Sequence, residues 1–153
     1  MKEKDLRVLG HFRNNSRTSL TKLSRDTNVP VSTIYDKLKE YEKNNLISKH
    51  TSLIDFKQLG YNVRAKILIR AHKDKKDSLQ RFLVKHKNVN NVFRISNGYD
   101  FLIETIFRGL EELDKFTRQL EDFDFQEKQE FFVMEDLKRE EFLTYRKNLN
   151  VVK

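Results

Sequence analysis

Within residues 18–47, TSLTKLSRDTNVPVSTIYDKLKEYEKNNLI, the apolar side chains fall at intervals that fit two short helices joined by a tight connection. In the second of these, Val31, Ile34, Leu38 and Tyr41 are spaced three, four and three apart, one stripe of a 3.6-residue period. Ser32, Thr33, Asp36, Lys39, Glu40 and Lys43 take the other side, with Tyr35 at the edge. A helix that only meets water is usually filled with Glu and Lys. This one opens with short hydroxyls, a Tyr and an Asp, groups that can reach a base edge in the DNA major groove. Taken alone, the residues fit either a recognition helix or a solvated surface helix.

The flanking residues complete a small helical head. Residues 3–14 predict a first helix, with Leu6 and Leu9 on one face and Val8 and Phe12 beside them. Asn14-Asn15-Ser16 breaks that pattern. Ser19 is placed to N-cap a second helix whose core residues are Leu20 and Leu23. Thr27-Asn28 predicts a turn, and Pro30 suits the first turn of the third helix, where its missing N–H is not needed. That helix runs to about Lys43, and Asn44-Asn45 can adopt the left-handed conformation that ends a helix. Residues 46–54 alternate weakly and predict a short β-ribbon or wing. Residues 55–62, DFKQLGYN, are the expected hinge.

The period changes at Val63. Val63, Ala65, Ile67, Ile69 and Ala71 alternate with Arg64, Lys66, Leu68 and Arg70, which predicts a strand. A helix over 74–87 follows, packing Leu79, Phe82 and Leu83, then a strand over 89–96. Asn97-Gly98 is a hairpin signal, leading to a strand over 99–107 with Phe101, Ile103, Thr105 and Phe107 on one face. A helix over 110–122 carries Leu110, Leu113, Phe116 and Leu120, and residues 128–137 predict a last strand around Phe131 to Met134. The order βαββαβ implies an antiparallel ferredoxin-like sheet with both helices on one face. Leu68, Leu102 and Ile106 make the other face apolar, and a second copy of the sheet is its simplest cover. Residues 138–153 form a charged C-terminal extension containing Phe142, Leu143 and Tyr145, a short extra strand or helix at an interface.

Charge narrows the class of partner. Residues 1–50 hold eleven Lys and Arg against six Asp and Glu, and residues 51–108 hold twelve against five, whereas residues 109–153 hold eight against twelve. The first two thirds could face a polyanion; the acidic end is a poor phosphate contact. With no Cys there is no disulfide, thiol catalyst or Cys zinc site. His11, His50, His72 and His86 fall in different elements without ligand spacing, so neither metal nor cofactor is expected. No nucleophile motif, Gly-rich phosphate loop or paired carboxylate frame points to an enzyme. The start of the chain lacks a signal-peptide run and no stretch is long and apolar enough to span a bilayer, so a cytoplasmic location without membrane contact is expected.

In a helix-turn-helix, the N-terminal residues of the second helix meet base edges. Ser32, Thr33, Tyr35 and Asp36 are then the base-facing candidates, with Lys39 and Lys43 nearer the backbone. Asp36 can accept from a cytosine N4 amine; it would serve equally as a charge against wrong sequences or as plain helix solvation. Arg17, Lys22 and Arg25 along the flank and Lys49 in the wing are phosphate candidates.

With these elements in order, the chain resembles the Lrp/AsnC, or feast/famine, family of transcription regulators, of archaeal type. Asp5-Leu6-Arg7-Val8-Leu9 is similar to the family's Asp-x-x-Ile-Leu, and Asn15-Ser16-Arg17-Thr18-Ser19 to its Asn-Ala-Arg-x-Ser. Thr33 to Glu42 follows its Thr-Val-x-x-Arg-Ile-Lys-Arg-Leu-Glu, Leu46-Ile47 its Val-Ile, and Asp55 to Gly60 its linker Asp-x-x-x-Leu-Gly. Asn97-Gly98-Tyr99-Asp100 resembles the Gly-x-x-Asp turn of the effector domain, with the Gly moved one position. Lys37 stands where the family has Arg, keeping the charge but not the bidentate fork; Glu40 replaces a cation and Pro30 an N-capping Ser.

The resemblance implies an α+β chain. Residues 1–54 are a winged helix-turn-helix, 55–62 a linker and 63–137 a ferredoxin-like dimerisation and effector domain. The implied function is sequence-specific binding of double-stranded DNA as a homodimer, with tetramers or octamers beyond it, and with Lys37 among the DNA-facing cations. Two heads about 34 Å apart, or a multiple of that, would read a palindrome. Asn97, Gly98, Tyr99 and Asp100 are the implied amino-acid effector loop, or else a structural hairpin corner. An amino-acid sensor or an architectural binder without an operator are the alternatives to a regulator.

Overall fold

The computed structural model describes residues 2–144, and the chain divides into two compact units. The first comprises Met1–Leu53 with the segment from Leu137 onward, and the second Ile54–Asp136.

Three helices build the first unit: α1 (Glu3–Asn14), α2 (Leu20–Thr27) and α3 (Val31–Lys43). Their shared core is Val8, Leu23, Val29, Ile34, Leu38 and Tyr41, with Leu9, Phe12, Leu20 and Ile47 packed at its margin. On α1 the buried centre of the apolar stripe is Val8, and Leu6 is exposed. Val31 also lies outside the core, 41% exposed. It is the first residue of its helix, and helical side chains lean toward the N-terminus, so a first-turn side chain overhangs the end of the packing surface. Asn28 (φ 54°) ends α2 and Asn45 (φ 56°) follows α3, both left-handed as their side chains allow.

Residues 46–54 form no strand and have no ladder partner. The expected β-ribbon is replaced by a strap along the head. The Ile47 N–H donates to the Tyr41 carbonyl (3.1 Å), and His50 packs edge-on against Phe12 and lies 2.9 Å from the Glu42 carboxylate. In the C-terminal segment, Arg13 reaches Glu140 (2.8 Å) and the Phe142 carbonyl (2.6 Å). The described part, 138–144, contains no helix or strand, and Tyr145 lies outside the described residues.

The second unit opens with a single 3-10 turn, Phe56–Leu59, capped by Asp55 and closed by Gly60 at φ 83°. Four strands follow in the order β2-β3-β1-β4, each neighbour antiparallel: β1 (Val63–Arg70), β2 (Val89–Arg94), β3 (Phe101–Phe107) and β4 (Glu127–Phe132). Helices α4 (Lys76–Lys85) and α5 (Leu110–Glu121) cover one face. Ala65, Ile67 and Ile69 of β1 and Phe101, Ile103, Thr105 and Phe107 of β3 meet Leu79, Leu83, Leu113, Phe116 and Leu120 there. This is the ferredoxin-like arrangement. Leu110 stands 65% exposed at the first position of α5, for the reason that applies to Val31. The last strand is shorter than the apolar run suggests, and Phe131, Phe132 and Met134 are all exposed. None of the helices among the described residues is long and apolar enough to cross a membrane.

Candidate nucleic-acid interface

Helix α3 packs one side into the core and one flank toward α1, and presents the rest. Ser19 caps α2, its hydroxyl accepting from the Lys22 N–H (3.2 Å), and the left-handed Asn28 turns the chain so that buried Val29 and exposed Pro30 lead into α3. Pro30 is the N-cap and offers no side-chain acceptor, so the first-turn N–H groups of α3 have no side-chain cap. Ile34, Leu38 and Tyr41 anchor the buried side. Opposite them, at 100° per residue, run Ser32, Asp36, Lys39 and Lys43, all exposed. Ser32, Asp36 and Lys43 have no hydrogen-bond or ion-pair partner among the described residues.

Tyr35 borders this stripe and is exposed. The Lys39 ammonium lies 4.5 Å from the centre of its ring, and hydrogen bonding to the Tyr35 side chain raises the ammonium above its ordinary value. Tyr35 and Lys39 therefore present themselves as one amphipathic unit.

Thr33 and Lys37 do not join the stripe. Both are half-buried on the flank that faces α1. The Lys37 Nζ lies 2.5 Å from the Asp5 Oδ1, and Asp5 also accepts from the Lys2 N–H (3.2 Å). Bonding to Lys37 holds the Asp5 carboxyl below the usual range, and bonding to Asp5 holds Lys37 above its own. Asp5 is a residue that sequence reasoning missed. Its signal was available: a carboxylate in the first turn of an apolar-faced helix, where it also caps α1 by accepting from the Lys2 N–H.

Arg17, Lys22 and Arg25 are exposed on and before α2, and Lys49 is exposed in the strap after α3. The Arg17 N–H donates to Asn15 Oδ1 (3.0 Å), which fixes the turn ahead of α2.

In the second unit the Asn97-Asp100 turn is occupied by its own surroundings. Asn97 (φ 70°) and Gly98 (φ 94°) carry the reversal. The Gly98 carbonyl accepts from Arg70 Nε, and the Tyr99 hydroxyl donates to Glu127. Asp100 accepts from the Ala71 N–H (2.9 Å) and pairs with Lys76 (2.6 Å). Burial works to raise the Asp100 carboxyl, but Lys76 and the Ala71 N–H outweigh it and hold the group below its ordinary value.

The uncovered sheet face is more polar than its apolar residues suggest. Leu68 and Leu102 stand directly opposite one another, with Ile106, Phe93 and Phe131 around them. Among them sits Glu104, only 5% exposed. It pairs with Arg64 and accepts from Asn90 (2.9 Å) and Asn91 (2.5 Å). A bulge between Val89 and Asn91 lets two consecutive Asn side chains reach one carboxylate. Arg64 also holds Asp136 (2.5 Å). Burial alone would push the Glu104 carboxyl up; the Asn90, Arg64 and Asn91 contacts bring it below the ordinary range.

The two units correspond to two known families of domain. Residues 1–48 match the family model for a winged helix-turn-helix DNA-binding domain, and residues 64–142 match that of the Lrp/AsnC ligand binding domain. An uncharacterised HTH-type transcriptional regulator of Pyrococcus horikoshii is 30% identical over 90% of this chain and 93% of its own. Among solved structures, a transcriptional regulator of Neisseria meningitidis in complex with L-methionine superposes with a TM-score of 0.83 at 20% identity, covering 91% of this chain and 93% of that one. AsnC of E. coli gives 0.77 at 22% identity, covering 91% and 95%. Those two similarities establish the fold. With the family match across more than half the chain and the Pyrococcus relative along nearly all of it, the chain belongs to the Lrp/AsnC family and is a DNA-binding transcriptional regulator.

Proposed function

We propose that the protein reads operator DNA as a homodimer, with α3 of each copy in a major groove. Ser32, Tyr35 and Asp36 meet base edges, and Lys39 and Lys43 meet phosphates. Arg17, Lys22, Arg25 and Lys49 add backbone contacts on either side. Lys37 and Thr33 act from the α1 flank, setting the angle at which α3 is offered. The chain acts by binding, in the cytoplasm, with no chemistry of its own. The observation that carries this reading is the outward stripe of α3, on which Ser32, Asp36 and Lys43 have no hydrogen-bond or ion-pair partner among the described residues and Lys39 meets the neighbouring Tyr35.

Dimerisation is assigned to the open sheet face. Leu68, Leu102, Phe93 and Phe131 form an apolar field there that a second copy would cover by a two-fold contact. Further contacts between dimers would hold several heads on one DNA molecule and raise avidity. At the Asn97-Asp100 turn we favour a structural corner, because both Asp100 contacts and the Gly98 carbonyl are already used. Because the Neisseria relative was solved with L-methionine, methionine is the first effector to test.

The test is binding of the purified protein to duplexes from upstream of its own gene, against shuffled duplexes, at low and near-physiological salt. Selective, salt-sensitive binding is expected; equal affinity for the shuffled control overturns sequence-specific reading. Sedimentation as a monomer at micromolar concentration overturns the dimer.

A further inference from the structure

Residues 51–108 hold twelve Lys and Arg against five Asp and Glu, a larger excess than that of residues 1–50, and contacts made by α3 leave it unused. Within the helical layer of the second unit the two helices treat charge differently. On α5 both cations are satisfied locally, Lys115 by Glu111 (2.9 Å) and Arg118 by Asp114 (3.0 Å), each one turn away. On α4 they are not. Leu79 and Leu83 face the core, and Arg81 and Lys85 project to the opposite side at i and i+4. Lys73 and Lys75 precede the helix and Lys87 follows it. All five are exposed, and none has an ion pair among the described residues. Asp74 and Asp77 are the nearby carboxylates. Lys76, the cation that turns inward, is the one taken by Asp100.

We infer that this face of α4 is a second, sequence-independent contact for duplex DNA, taking the phosphate backbone beyond the operator. Unpaired cations spread along a helix and its two ends match a line of phosphates better than a single carboxylate ligand. Each phosphate neutralised adds affinity through counterion release without adding sequence information. The inference rests on the DNA-binding role of the head and extends it. The head selects the site, and α4 extends the length of DNA engaged.

The experiment compares wild type with an Arg81→Gln, Lys85→Gln, Lys87→Gln variant of the full chain, on duplexes of about 20 and about 60 base pairs containing the same site. Anisotropy is read across a salt series, and sedimentation is run without DNA. The expected result is an unchanged slope on the short duplex. On the long one the slope of log K against log salt should be shallower by up to about 2.7 for each copy engaged, at roughly 0.9 per lost phosphate contact. An unchanged slope on the long duplex overturns the assignment while leaving the head's role intact. Loss of a higher assembly without DNA also overturns it, since the occupant is then the acidic α5 of a second copy. If wild type binds neither duplex, the α3 interface falls together with its extension.

Discussion

Lys37 of α3 and Asp5 of α1 form an ion pair of 2.5 Å between Nζ and Oδ1, on the flank of the recognition helix rather than on its outward stripe. The pair ties the helix that would enter the groove to the first helix of the head. Its loss should therefore act on geometry. Asp5→Asn and Lys37→Gln should each lower DNA affinity by similar factors and leave the salt slope as in wild type. A slope reduced by about 0.9 per copy in Lys37→Gln alone would instead make Lys37 a phosphate contact. Anisotropy across a salt series distinguishes the two.

The outward stripe divides by chemistry. Lys39→Ala with Lys43→Ala should weaken binding to specific and shuffled duplexes alike, and lower the salt slope by about 1.8 per copy, about 3.6 for the homodimer. Asp36→Ala and Ser32→Ala should change which base is preferred, by about 1–3 kcal/mol at one position of each half-site. Selection from a randomised duplex pool reads this directly. An unaltered preference means that α3 lies in the groove rotated away from Asp36.

Much of this architecture can be read from apolar spacing. The alternation from Val63 to Ala71, the three- and four-residue steps of α3 and the Asn97-Gly98 reversal are local signals, and local backbone preference decides them. Side-chain partnership is not local. Nothing in the periodicity of α3 separates Lys37, which turns to Asp5, from Lys39, which turns to Tyr35. Nor does a strand pattern say that Glu104, set among Leu102, Ile103 and Ile106, will find Arg64 and two Asn side chains across a bulge. The β-ribbon expected over 46–54 fails for a related reason. Weak alternation needs a partner strand, and the residues after α3 find the Tyr41 carbonyl and the Phe12 ring instead.

Glu104 should make the second unit acid-sensitive. Its folded pKa lies below the ordinary 4.5, so its stabilisation is complete above that value and is lost as pH falls below it through the folded value. Glu104→Gln should lower stability near neutral pH by about 1–3 kcal/mol, because Arg64 and the two Asn side chains lose a charged acceptor. The variant should also flatten the acid limb of a denaturation series below pH 4.5. An acid limb as steep as that of wild type would assign the sensitivity to other carboxylates.

Tyr41 offers a change in the other direction. Its ring lies in the core of the head, and its hydroxyl has no hydrogen-bond partner among the described residues. Burial, followed by the nearby Asp5 charge, pushes its ionisation up. Removing an unsatisfied hydroxyl while keeping the ring should be neutral to stabilising, up to about 1 kcal/mol for Tyr41→Phe. A loss of more than that in chemical denaturation would mean the hydroxyl holds a water.

Asp100 tests whether the hairpin corner serves the fold or a ligand. As a corner, its carboxylate joins the end of β1, through the Ala71 N–H, to the start of α4, through Lys76. Asp100→Ala leaves a half-buried N–H and an ammonium without their acceptor, so the melting point should fall even with no amino acid present, for a cost of about 1–3 kcal/mol. Methionine and the other amino acids should then shift neither protein. If wild type is instead stabilised by one amino acid and Asp100→Ala loses that response with its basal melting point intact, the carboxylate is a ligand group, and the contact with Lys76 is what the effector displaces.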